Sequence, residues 1–163
     1  MDIQLKDVAN NKLVDALISL ADLKDLPAEN DRWNFDWEQL FKLGDTCFKI
    51  VLVSSPEIIE GLMVISVIND EMVYINNIES APHNIGAVKK YDYVAGCLFA
   101  YACDLSVSLG KKGYIGYVSF DSKTKLIPLY KEKYGAMHVG GTRMFFEPDT
   151  GDKLINQYLK GVQ

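Results

Sequence analysis

Three apolar segments with short connections constrain the fold of this chain most strongly. They cover residues 47–54, 61–68 and 72–78, with turn-forming residues at 55–57 and 69–71. Such connections are too short for a crossover between parallel strands, so the segments are predicted to form antiparallel hairpins. The middle segment is almost continuously apolar, which is typical of a central strand that is covered on both faces. We therefore expect a sheet with helices on both sides.

The second half of the chain adds one parallel strand to this prediction. An apolar run at 94–109 is predicted to be a helix that ends at Gly110, and a strand is predicted at 114–120. Because a helix separates this strand from the one at 72–78, the two can run parallel through a right-handed crossover. The fold class is therefore α/β, a mixed sheet with an antiparallel meander and one parallel βαβ crossover, in a single domain over residues 1–163.

The remaining segments are predicted to be mostly helical. Asn11 is predicted to cap a helix that runs to Ala21, and Asn34 to cap a short helix that ends at Gly44. Two more helices are predicted at 124–134 and 151–160. A hairpin is predicted at 137–146, around adjacent glycines at 140 and 141, and its edge could build a homodimer.

Composition excludes several classes of protein. The net charge of -5 and a pI near 5.0 argue against a general nucleic-acid surface, which needs clustered basic residues. Three cysteines without CxxC spacing are typical of reduced core thiols, so we expect a cytoplasmic protein. The polar start is no signal peptide, no run is long enough to span a bilayer, and no metal-ligand spacing is present.

A candidate anion site lies at 90–96, between the strand at 72–78 and the long helix. The first-turn N–H groups of a helix have no helical acceptor, and the macrodipole adds positive potential there. This arrangement predicts a phosphorylated ligand. The alternative is a plain strand-to-helix junction of the kind that every α/β protein contains.

Two short motifs carry a resemblance to a known family. The sequence Lys-Tyr-Asp-Tyr-Val-Ala at 90–95 lies where the GNAT acyl-CoA N-acyltransferases carry [RQ]-x-x-G-x-[GA]. The sequence Leu-Tyr-Lys-Glu-Lys-Tyr-Gly-Ala at 129–136 is similar to the Leu-Tyr-x-x-x-Gly-Phe ending of that family. The chain resembles a divergent member, because Lys90 replaces Arg or Gln, Tyr93 replaces Gly, and the connection at 82–90 is longer.

The resemblance implies a co-substrate, acetyl-CoA or another short acyl-CoA, and a set of residues that would bind it. The backbone near Asn77, Ile78 and Glu79 would hold the thioester carbonyl. The phosphates would lie against the candidate anion site at 90–96, the anion loop, and against nearby lysines. The residues that would bind the cofactor are then Lys90, Tyr91, Asp92, Tyr93, Val94, Ala95, Gly96 and Lys125. Surface lysines are more often only solvated, and Tyr93 could crowd the diphosphate.

Acyl transfer to an amine needs a proton acceptor and a proton donor. Glu79 is the first candidate base, since burial at a strand end could raise its pKa, and the alternative is a solvated carboxylate. The resemblance makes Tyr130 the acid that protonates the leaving thiolate, whereas its residue type alone also suits packing. His83 could be a second base or a substrate contact, or an exposed loop histidine.

The predicted function is N-acyl transfer from acyl-CoA to an amine acceptor by direct attack, without a covalent enzyme intermediate. The acceptor could be a small molecule, an aminoacyl group or a protein amine. The principal alternative is a non-catalytic GNAT-like module that binds CoA or a protein partner, supported by Lys90 and Tyr93. Two weaker alternatives are a toxin-like enzyme that acts on charged tRNA and an enzyme with Cys97 as its nucleophile.

Overall fold

The computed structural model describes residues 1–28, 31–43 and 45–161, which form a mixed nine-stranded sheet and four α-helices. The strands are β1 (Asp2–Asp7), β2 (Lys12–Leu20), β3 (Thr46–Leu52), β4 (Ser55–Ile68), β5 (Met72–Ser80), β6 (Tyr91–Asp92), β7 (Val118–Asp121), β8 (Met137–His138) and β9 (Arg143–Phe146). The helices are α1 (Trp37–Lys42), α2 (Val94–Leu109), α3 (Ile127–Tyr134) and α4 (Pro148–Tyr158). The strand order is β6-β1-β2-β3-β4-β5-β7-β9-β8.

The predicted meander and the predicted parallel pair are confirmed. β3, β4 and β5 are neighbours in the sheet, as the short connections required. β5 and β7 run parallel, with Val73 opposite Val118 and Ile75 opposite Phe120. Helix α2 lies between these two strands in the chain, at the predicted bounds. The α/β fold class therefore follows from the spacing of the apolar segments.

The contacts of the chain divide it into two units. The first contains Met1–Val64 and Asn77–Leu98, and the second contains Ile65–Asn76 and the described residues from Phe99 onward. β4, β5 and α2 each contribute residues to both units.

Within the first unit, β4 is covered on both faces. Leu62 and Val64 pack in a buried cluster with Trp37 of α1. Gly61 faces the other way, and a Cβ atom placed on it would lie 2.5 Å from Cγ1 of Val94, at the start of α2. A glycine at this position therefore lets the first turn of α2 approach the strand closely.

The predicted helix from Asn11 to Ala21 is wrong, because these residues form β2. β2 pairs antiparallel with both β1 and β3. Ala16 and Ile18 are only 1% exposed. Leu13 and Leu20, on which the predicted helical period was based, are 40% and 65% exposed. Pairing on both edges of the strand overrides a weak helical preference.

β1 was not predicted, although its sequence has the alternation of apolar and polar residues that is typical of a strand. Ile3 and Leu5 are buried and alternate with polar residues, which is the period of a strand. Asn11 lies in the turn to β2 with φ 49°, a conformation that asparagine tolerates well.

Several helix and strand boundaries also differ from the prediction. α1 begins at Trp37, and Asp36 rather than Asn34 caps it by accepting a hydrogen bond from the Gln39 N–H. Gly44, the predicted end of this helix, lies outside the described residues. The strand predicted at 114–120 shortens to β7, because Gly116 adopts a φ of 81° before it. α4 begins three residues before the predicted start, with Pro148 in its first turn.

The second unit has an aromatic core. Phe99 of α2 contacts the rings of Phe120 and Phe146 at centroid distances of 5.5 and 5.2 Å. The predicted hairpin forms with β8 and β9, although β8 contains only two residues. Met137 in β8 is 45% exposed, and a homodimer along this edge stays a prediction.

Two further sequence predictions concern the cysteines and the membrane. All three cysteines are free and buried. None of the helices in the described ranges is long and apolar enough to cross a membrane.

The close approach of α2 to β4 predicts the cost of enlarging Gly61. Gly61→Ala forces its new methyl group against Val94, so we expect a loss of about 1–3 kcal/mol in the free energy of unfolding, measured in urea. Gly113→Ala is the control, since a Cβ atom at Gly113 meets nothing within 4 Å. Equal losses in the two variants would contradict this account of Gly61.

Candidate functional site

Glu79 is buried at the end of β5, and its carboxylate binds the segment that leads into α1. One carboxylate oxygen accepts hydrogen bonds from the Asn34 backbone N–H at 2.6 Å and from the Asn34 side-chain amide at 2.8 Å. The other accepts from the indole N–H of Trp37 at 3.0 Å, and the Phe35 backbone nitrogen lies 3.4 Å away. The side chain therefore anchors residues 34–37, and its catalytic role stays a prediction.

The anion loop at 90–96 is fixed by the first strand of the chain. Tyr91 and Asp92 form β6, which pairs with β1. The backbone N–H of Val8 donates to the Lys90 carbonyl at 3.1 Å. Lys90 also lies over the ring of Tyr91, with its Nζ 5.2 Å from the ring centroid. The loop therefore enters α2 from a paired strand rather than from a free coil.

Tyr93 adopts the backbone conformation that glycine favours. Its φ is 77°, in the left-handed region, and the Cys97 N–H donates to its carbonyl at 2.8 Å to close the first turn of α2. Ala95 and Gly96, which follow, are small. Tyr93 thus adopts a turn that a glycine would adopt without strain, and it carries a tyrosine ring there.

A carboxylate lies at this helix start. Oδ1 of Asp92 accepts the backbone N–H of Tyr93 at 2.8 Å, and its Oδ2 forms an ion pair with Lys89 at 2.8 Å. A phosphate oxygen at the Tyr93 N–H would have to replace Asp92. Lys89 would then be available to the phosphate, because its partner would have moved.

Ile78 lies near the end of β5 and Lys125 lies just before α3, and their roles in cofactor binding stay predictions. The β5–β7 pairs end at Ile75 and Phe120, and β5 continues to Ser80, so half-buried Ile78 lies beyond the paired stretch. Lys125 is exposed in a 3₁₀ turn, Thr124–Leu126, which leads into α3.

Tyr130 projects from α3 into the aromatic core of the second unit. Its ring makes edge-to-face contacts with Phe99 and Phe120, with centroid distances of 5.5 and 5.7 Å. Burial raises the pKa of its phenol above the ordinary value. The hydroxyl therefore stays protonated at neutral pH, which a general acid requires.

The structure opposes a cysteine nucleophile at Cys97. Its side chain is fully buried, and burial raises the pKa of the thiol to about 12. A thiol in this state offers almost no thiolate at neutral pH.

His83 contacts Glu60, a buried residue that the sequence did not single out. Its Nε2 lies 2.6 Å from a carboxylate oxygen of Glu60, which is 1% exposed. The Asn84 side-chain amide donates to the same oxygen at 2.7 Å. Glu60 interrupts an apolar run in β4, and this interruption could have identified it from the sequence as a buried carboxylate. His83 also lines a cavity of about 570 Å³ beside the end of β5.

Comparison with known proteins gives matches in structure only. No family model matches the sequence, and no curated protein matches it. A mutant of the AtaT toxin, bound to acetyl-CoA and the C-terminus of the antitoxin AtaR, has a TM-score of 0.58 at 11% identity, over 87% of this chain and 99% of that chain. AtaT is also known in complex with acetyl-methionyl-tRNAfMet.

Two further structures are similar to the same extent. Ard1 from Thermoplasma volcanium has a TM-score of 0.58 at 11% identity, over 80% of this chain and 96% of that chain. A Bacillus subtilis acetyltransferase in complex with CoA has a TM-score of 0.55 at 14% identity, over 81% of this chain and 98% of that chain. With the mixed sheet and its parallel β5–β7 pair, these likenesses show that the chain has the fold of these acetyltransferases.

Proposed function

We propose that this chain transfers an acetyl or other short acyl group from acyl-CoA to an amine. The observation that carries the proposal is the glycine-like backbone of Tyr93 at the first turn of α2. This conformation is costly for a tyrosine, and it preserves a helix start that can bind a diphosphate. Similar folds that bind acetyl-CoA or CoA support the same ligand class.

The proposed chemistry is direct attack of the amine on the thioester. A C–N bond forms and the C–S bond breaks, so the amine loses a proton and the thiolate gains one. The backbone of residues 77–79 would hold the carbonyl, beyond the stretch of β5 that pairs with β7. Tyr130, whose phenol keeps its proton because burial raises its pKa, would supply the proton to sulfur.

The acceptor is an amine whose class stays open among small molecules, aminoacyl groups and proteins. AtaT with its acetylated methionyl-tRNA makes an aminoacyl-tRNA one candidate. The net charge of -5 weighs against it, since tRNA binding needs a basic surface. A non-catalytic binding module is the main alternative to the whole proposal.

Replacement of Tyr93 tests the cofactor. Tyr93→Gly removes both the left-handed strain and the ring, so we expect about 1 kcal/mol more stability and tighter binding of acetyl-CoA by calorimetry. Asn69→Gly is the control, because Asn69 has φ 54° in a turn outside the loop. If neither the wild type nor Tyr93→Gly binds acetyl-CoA, the binding-module alternative replaces the enzyme.

Glu79→Gln separates the anchoring role from the catalytic one. A glutamine places an amide N–H against the donors from Asn34 or Trp37, so we expect a loss of about 1–3 kcal/mol in unfolding free energy. Glu132→Gln, at an exposed position in α3, is the control. An unchanged stability with a rate that falls by about 100-fold would instead support Glu79 as the base.

Tyr130→Phe tests the proton donor. It keeps the ring contacts with Phe99 and Phe120 and removes only the hydroxyl, so we expect kcat to fall by about 100-fold with an unchanged Kd for acetyl-CoA. Product is measured by mass spectrometry with a panel of primary amines, and Tyr114→Phe is the exposed control. A wild-type kcat in Tyr130→Phe rules out the phenol as the acid.

A further inference from the structure

A buried carboxylate in β4 holds an exposed imidazole. Glu60 is 1% exposed, and its Oε2 lies 2.6 Å from Nε2 of His83, whose side chain is 39% exposed. A charge buried to this degree is costly unless donors surround it, and Glu60 has a second donor in the Asn84 amide. Glu60 is therefore shielded from water, whereas the imidazole of His83 can be reached by solvent and ligands.

The hydrogen bond to Glu60 determines which nitrogen of His83 can accept a proton. With Glu60 ionised, the carboxylate can only accept hydrogen bonds, so Nε2 of His83 is then the nitrogen that carries the hydrogen and donates it to Glu60. The neutral ring then has its lone pair on Nδ1. This is the arrangement in which a buried acid orients a histidine as a general base.

Three hydrogen bonds link the turn that carries His83 to β4 and to the anion loop. The Ala81 N–H donates to the Glu60 carbonyl at 2.9 Å, and the Lys90 N–H donates to the His83 carbonyl at 2.8 Å. The Asn84 side-chain carbonyl accepts the Tyr91 N–H at 3.0 Å. The same amide therefore links Glu60 to the anion loop, so the imidazole and the loop share one rigid support.

The cavity beside His83 is large enough for a small ligand and favours a cation. Its volume is about 570 Å³, within the range of small-molecule sites. Its described lining combines apolar residues, such as Ile58 and Ile59, with the charged residues Asp25, Asp31, Arg32 and Glu57. Asp25 is paired with Lys49 at 2.8 Å, which leaves two carboxylates against one guanidinium. Trp33 adds an aromatic surface, which also attracts cations.

We propose that this cavity receives the primary amine that is acylated, and that His83 accepts its proton at Nδ1 while Glu60 acts as a positioning residue. This inference rests on the proposed function and gives its acceptor a place and a base. The step breaks one N–H bond: an ammonium and a neutral imidazole become a neutral amine and an imidazolium. Glu60 balances the new charge, and the imidazolium returns its proton to solvent.

Histidine signals provide a test of binding that needs no turnover. The chain contains two histidines, so protein labelled with ¹³C-histidine gives one imidazole signal for His83 and one for His138. The probe is n-butylammonium chloride, with n-butanol as a neutral control of the same length. We expect a saturable shift of the His83 signal with the ammonium and none with the alcohol, while the His138 signal stays fixed. Equal shifts with both probes, or no shift of His83, overturn the inference.

Variants then test the proton transfer. With acetyl-CoA and n-butylamine, we expect His83→Gln to lower kcat by about 100-fold and His138→Gln to leave it unchanged. Glu60→Gln keeps the shape and loses the charge, so kcat falls by at least about tenfold while the Kd for n-butylammonium is retained. A purely structural role for Glu60 would change that Kd as well.

The outcomes separate this inference from the proposed function. Binding of acetyl-CoA by the wild type, with product formation that His83→Gln leaves intact, overturns the inference alone. An absence of acetyl-CoA binding with a saturable His83 shift overturns the acyltransferase proposal and leaves the amine cavity. Amine binding and acetyl-CoA binding without any product overturn both proposals in favour of the non-catalytic binding module.

Discussion

The burial of β4 on both faces is the constraint on which the first unit depends. Leu62 and Val64 on one face hold Trp37, and the bare backbone of Gly61 on the other face admits the first turn of α2. Glu60, one residue earlier, holds His83 and Asn84. Four positions between residues 60 and 64 of one strand thus support α1, the start of α2 and the candidate base. Because the strand is packed on both sides, small changes of volume in it are felt at each of these places.

Two buried carboxylates illustrate how different partners give the same residue type different roles. Glu79 is surrounded by backbone and indole donors, which keep their hydrogens at every ordinary pH, so it behaves as an anchor. Glu60 lies against the His83 imidazole, which solvent can reach, so it is the candidate positioning residue. Burial alone does not distinguish the two, and the identity of the donors does.

The sequence predicted the parts of the fold that depend on local spacing. Short connections fixed the meander, and the apolar run of α2 gave its bounds and the crossover to β7. The prediction from the sequence was wrong at β2. Leucines at 13, 17 and 20 have the spacing of a helix, but pairing with two neighbouring strands makes this segment a strand. Glu60 and His83 are 23 residues apart, and no local pattern reports a contact between residues so far apart.

The burial of the three cysteines has a practical consequence for work on this chain. The pKa of Cys47 rises to about 11, and those of Cys97 and Cys103 rise to about 12, because each thiol is buried. The folded protein should therefore react very slowly with disulfide dyes that detect thiolates. The thiol of CoA released during turnover can therefore be followed continuously with such a dye, because the protein's own cysteines add little signal. The same dye, added to an unfolding sample, would measure the fraction of unfolded molecules, since unfolding exposes the thiols.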